Sequence, residues 1–155
     1  MRTLIVLVLV LIAPCFADAA GSASKKGDKS VPGDATPDAR FDAGVAAAKA
    51  SDWLKAEAEF RAATQRRPRF PEAWNGLGHS LKMQRKFDDA LEAYDEALRQ
   101  RPNFPEALEY LGETYVAMGK PDDARATLAK LKPLDAKLAA RLEQSIADGK
   151  ISSSW

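Results

Sequence analysis

The stretch Arg67-Pro68-Arg69-Phe70-Pro71-Glu72-Ala73 returns thirty-four residues later as Arg101-Pro102-Asn103-Phe104-Pro105-Glu106-Ala107. The same period links Gly44, Gly78 and Gly112, then Ala56, Ala90 and Ala124. Phe60, Tyr94 and Leu128 form a further series, as do Ala63, Ala97 and Leu131. Independent columns that agree on one period mark a supersecondary unit that is repeated and stacked. Pro37, Pro71, Pro105 and Pro121 stand where a fixed φ and a missing N–H cost nothing, at the first turn of a helix. Ser51-Asp52, Arg85-Lys86 and Gly119-Lys120 read as short connections, which force antiparallel neighbours. Each period is therefore a pair of helices.

Composition agrees. Of 155 residues, 29 are alanine, and beyond residue 20 only nine are Val, Ile or Thr. A pleated sheet needs branched side chains, so the fold class is all-α. With 23 Lys and Arg against 22 Asp and Glu, the chain has no excess charge to attract a polyanion, and nucleic acid is excluded as the default ligand.

In the helices, Gly78 and Gly112 are expected to admit a neighbouring backbone. Ala56 and Ala90 fill matching close contacts, with Phe60 and Tyr94 as larger plugs one turn along. Trp74, Leu77, Gly78, Leu81, Phe87, Ala90, Tyr94, Ala97 and Pro102 together resemble a nearly complete tetratricopeptide repeat (TPR). Residues 37–70 and 105–132 resemble the same repeat with losses. Arg40 and Ala43 replace a large apolar pair in the first, and Leu128 replaces the aromatic in the third. The resemblance implies a right-handed α-solenoid of three helix-turn-helix repeats (37–70, 71–104, 105–132). Leu134, Leu138, Leu142 and Ile146 then recur every fourth residue, so a capping helix over 133–148 is expected to start at Pro133 and cover the last repeat. Gly149 is its stop signal, and 150–155 reads as a disordered tail.

Residues 1–19 read as a secretion signal: Arg2, the apolar run Leu4–Ile12, a break at Pro14, and small residues at Ala17 and Ala19. The run is too short to span a bilayer, so no membrane span is expected after cleavage. Cys15 would suit lipid attachment, but Pro14 departs from the small residue such processing favours. Cleavage near Ala19 leaves a chain without cysteine, exported to a bacterial periplasm or beyond, with 20–36 as a flexible linker.

Chemistry is sparse. His79 is the only histidine and has no nucleophile motif beside it. An enzyme using His79 is the remote alternative. Gly76-Leu77-Gly78 falls within a helix and is no phosphate loop. Asp88-Asp89 and Asp122-Asp123 open second helices, where their charge meets the positive dipole end; neighbours about 100° apart do not make a metal site. No metal and no cofactor are expected.

What remains is a surface. In a helix-pair stack the first helices line the concave face. The family resemblance nominates Phe41, Val45, Lys49, Asn75, His79, Lys82, Met83, Glu109, Tyr110 and Glu113 as a groove for a protein or peptide partner. The Lys/Arg/Asn clamp by which some TPR domains hold a chaperone carboxylate is missing: Phe41, Val45, Gly76, Glu106 and Tyr110 occupy those places. The lining grades from apolar near Phe41 to acidic near Glu109 and Glu113, which suggests a segment with an apolar anchor and a basic residue. The expected role is an exported adaptor or scaffold. The alternative is a self-assembling structural subunit of an envelope complex.

Overall fold

The computed structural model describes residues 35–151. The expected secretion signal, most of the linker and residues 152–155 lie outside them. Among the described residues there are seven helices and no strand: α1 (Pro37–Lys49), α2 (Trp53–Arg66), α3 (Pro71–Met83), α4 (Phe87–Gln100), α5 (Pro105–Ala117), α6 (Pro121–Leu131) and α7 (Ala136–Asp148). Each helix packs on the next, and α1, α3 and α5 also touch in succession. The result is a helical-hairpin solenoid. In it, α7 lies against α5 and α6, where the first helix of a fourth unit would stand.

All four prolines occupy first turns. Thr36, at the edge of the linker, caps α1: its Oγ1 accepts from the Ala39 N–H at 3.2 Å. Asp52 caps α2 in the same way. Lys86 and Lys120 offer no such acceptor, and the Asp88-Asp89 and Asp122-Asp123 pairs supply the negative charge in the first turns of α4 and α6. The seventh helix begins later than Pro133. Lys132–Leu134 form a turn closed by Leu134 and Asp135 N–H groups on the Leu131 carbonyl. Asp135 then accepts from Lys137 and Leu138, so a side-chain cap rather than the proline sets the start. At the far end Gly149 takes φ 62°, and the Lys150 N–H returns to Ser145 O at 3.2 Å. This Schellman closure ties down the first tail residue.

The opening motif has a mechanical role. Arg67 pairs with Asp38, and thirty-four residues on Arg101 pairs with Glu72. Each guanidinium also lies over the phenylalanine that follows it, Phe70 at 4.6 Å and Phe104 at 4.5 Å. Trp74 Nε1 and Gln100 Nε2 both donate to Pro68 O at 2.8 Å, locking the turn between the first two units.

The glycine columns admit large side chains, not backbone. A Cβ on Gly44 or Gly76 would lie 2.7 or 2.6 Å from the Phe60 ring, and one on Gly78 would lie 2.6 Å from Tyr94. Gly112 faces Leu142 of α7 instead of its own unit's Leu128, and a Cβ there would clash with the Leu142 methyls. The cap therefore fills the seat that the missing aromatic leaves, and Phe60, Tyr94 and Leu142 are all fully buried.

Replacing Gly78 with alanine adds helix propensity of about 1 kcal/mol. Overpacking against a buried ring costs up to about 3 kcal/mol. Urea denaturation of Gly78→Ala should show a net loss of about 1–2 kcal/mol. Tyr94→Leu in the same chain should recover part of it.

Candidate functional site

The first helices present their expected residues in two different states. Phe41, Val45, Met83 and Tyr110 are half-buried, and Lys49 is exposed. Asn75, His79, Lys82, Glu109 and Glu113 are buried instead of forming an open polar lining. Phe41 stacks at 5.0 Å on Phe70 and 5.7 Å on Phe60, so much of its ring belongs to the first unit's core.

The buried members form one cluster. The His79 ring lies between Trp53 at 5.5 Å and Tyr110 at 4.6 Å. Lys82 Nζ stands 4.7 Å above the Tyr110 ring and bonds Glu113 Oε2 at 2.5 Å, with both charged side chains fully out of solvent. Arg141 reaches in from α7 and brings its Nε to 2.9 Å from Glu109 Oε1. That contact is an ion pair without hydrogen-bond alignment. Two cations thus face two buried carboxyl groups, Lys82 from within the protein and Arg141 from its surface. The charges of Glu109 and Glu113 are met inside the protein, which leaves Glu106 as the exposed acid of α5.

Burial shapes the titration of this cluster. It pushes Glu109 up to about 7 against the pull of Arg141, and it raises Tyr110 to about 12. Burial also drives His79 down to about 3, helped by the Lys82 charge, so the imidazole is neutral at physiological pH. Lys82 is lowered by desolvation, partly restored by Glu113. Outside the cluster, Glu57 is held at about 2: burial opposes its ionisation, but Lys86, Arg61 and Gln84 all donate to it.

Sequence reasoning places charged first-helix residues outward and does not pair them. The available signal is that Lys82 and Glu113 lie thirty-one residues apart, one period less a helical turn, on adjacent first helices. Among the described residues no group of His, Cys, Asp and Glu could hold a metal, and no helix is long and apolar enough to cross a membrane.

Two family models, both described as tetratricopeptide repeat, match residues 41–81 and 81–146. The chain therefore carries TPR repeats across the helical region. No curated protein matches at a significant level. Among solved structures, the TPR2B domain of yeast Sti1 in complex with an Hsp70 peptide superposes with TM-score 0.68 at 19% identity, covering 73% of this chain and 94% of that one. The Arabidopsis OM64 TPR domain gives 0.69 at 16% identity, over 73% of this chain and 95% of that one. PcrH bound to the chaperone binding region of PopD gives 0.65 at 21%, over 71% and 87%. At these identities the likeness establishes the fold.

Breaking the Lys82–Glu113 pair strands a buried charge. Lys82→Met alone should cost about 3–5 kcal/mol, whereas Lys82→Met with Glu113→Leu should be near neutral or stabilising. A double-mutant cycle by denaturant titration measures the difference.

The pH profile carries a second signature. Glu109, raised from 4.5, favours the fold below that value and loses its contribution as pH climbs toward 7. His79, lowered from 6.5, favours the fold above that value and loses its contribution as pH falls toward 3. Between pH 4.5 and 6.5 the folded chain holds a proton on Glu109 and the unfolded chain holds one on the imidazole, so the two slopes cancel. Glu109→Gln should make stability rise with pH across this window, and His79→Phe should make it fall. Parallel profiles would contradict the assignment.

Proposed function

We propose that this protein is a non-catalytic, exported adaptor that holds a peptide segment or partner protein on its first-helix face. The observation that carries the reading is that Phe41, Val45, Met83 and Tyr110, on three successive first helices, stay partly exposed beside exposed Lys49 on a stack of TPR hairpins. Its fold neighbours include TPR domains solved with an Hsp70 peptide, with an Hsp90 peptide and with the chaperone binding region of PopD. The strip is more apolar than the sequence suggests, because the charges beside it are paired internally. An apolar anchor is therefore the main feature a partner must bring.

A buried, neutral His79 between two aromatic rings supports the absence of catalysis. The amino-terminal pattern of Arg2, Leu4–Ile12 and Ala17-Asp18-Ala19 supports export to the bacterial envelope. Self-assembly remains the second reading, on the observation that Leu54 is 72% exposed on α2.

Crosslinking pull-down from the native envelope fraction tests the adaptor reading. Val45→Glu with Lys49→Glu should reduce capture of the specific partner by about tenfold or more while leaving the helical circular dichroism intact. Undiminished capture would remove the first-helix face from the mechanism. Light scattering across concentration should give a monomer; a mass that grows with concentration and reverts in Leu54→Lys would favour self-assembly instead.

A further inference from the structure

A second cleft begins at Met83, the end of the apolar strip, where the turn between α3 and α4 meets the end of α5 and the residues after α7. Its volume is about 570 Å³, within the range of sites that take one or two side chains of a ligand. Met83, Phe87, Val116 and Ile151 give it apolar walls, and Arg85 and Lys150 stand at its rim. No carboxylate is among its described lining residues. Lys82 also borders it, but its ammonium is committed to Glu113.

The two rim cations are exposed, and neither has an ion pair among the described residues. The nearby acids are otherwise disposed: Asp148 is held by Gln144 at 2.8 Å, and Asp88 sits in the first turn of α4 outside the lining. Lys150 is fixed by the Schellman closure at Gly149, which carries it and Ile151 to the cleft. Arg85 has φ 62°, a left-handed conformation that costs a side-chain-bearing residue about 1–2 kcal/mol. The equivalent turn one period later holds Gly119 at φ 71°, so the fold accepts glycine at this point. Arg85 nonetheless stands there, its guanidinium 5.4 Å over the Phe87 ring.

From apolar walls and two uncompensated cations we infer that this cleft is a second peptide-binding site. Its ligand is an acidic–apolar segment whose large apolar side chain enters between Met83, Phe87 and Val116. Flanking Asp or Glu carboxylates meet Arg85 and Lys150. A partner could then be held at two points, on the first-helix strip and at this turn. The inference does not rest on the adaptor reading of the strip: Val45→Glu should leave binding at the cleft unchanged.

Fluorescence anisotropy of the full chain with a labelled, end-blocked peptide Ser-Gly-Glu-Phe-Leu-Glu-Gly-Ser tests it. Saturable binding is expected, weakened about tenfold or more when both peptide glutamates become glutamine. Arg85→Gly should weaken binding to a similar degree while raising the thermal midpoint, because it relieves the left-handed strain; loss of fold cannot then explain the loss of affinity. Lys150→Glu should act in the same direction. The inference is overturned by an absence of saturable binding into the millimolar range, by equal affinity for the glutamine peptide, or by indifference to Arg85→Gly. It is also overturned if Arg85 and Lys150 govern sedimentation with phosphatidylglycerol vesicles while the peptide does not bind, an outcome that would give the cleft to a lipid surface.

Discussion

The whole array depends on large side chains pressed into glycine seats. Phe60 lies against Gly44 of its own unit and Gly76 of the next, so one ring fixes both the hairpin and the junction that follows it. Tyr94 lies against Gly78 within its own unit, and Leu142 of α7 lies against Gly112 across the last junction. A methyl group at any of these seats would meet carbon atoms well inside van der Waals distance, and the side chains filling them cannot retreat because they are already without solvent contact. Helix spacing, and with it every position on the first-helix face, follows from this fit.

Much of that was legible in the amino-acid order. A thirty-four-residue period in glycine, alanine and aromatic columns carries the hairpin count, and prolines at helix starts carry the boundaries. What could not be read was which ring meets which glycine across a junction. The pairing of Gly112 with Leu142 breaks the period, because the unit that would have supplied an aromatic has Leu128. The start of α7 was misplaced for a local reason: Pro133 suits a first turn, but Asp135 offers two capping bonds and outcompetes it.

The site was legible as a surface and opaque as chemistry. A periodic reading directs Lys82, Glu109 and Glu113 toward a partner, since charged residues are seldom buried. Here they find one another and Arg141, residues scattered over three helices and brought together only by packing. Such a cluster costs desolvation and contributes little net stability. Its plain effect is to turn the central face from polar to apolar. Arg85 and Lys150 were missed for the converse reason: one looks like a turn residue and the other like a tail, and only the fold puts them at one rim.

The clasp of Arg67 on Asp38 and Arg101 on Glu72 has no third copy, because the next residue in the arginine column is Asp135 and Glu106 is left without that partner. The two earlier seams carry a guanidinium, an acid and an aromatic ring, whereas the last is held by Leu142 in its glycine seat, by the apolar contacts of Leu108, Leu128 and Leu131 with Ala139, and by two lone ion pairs, Lys132–Glu143 and Arg141–Glu109. In a modular rod each seam has its own strength. Lifting of α7 would have to draw Leu142 out of the Gly112 seat and break both ion pairs. That movement would bring the sequestered carboxylate of Glu109 back to water.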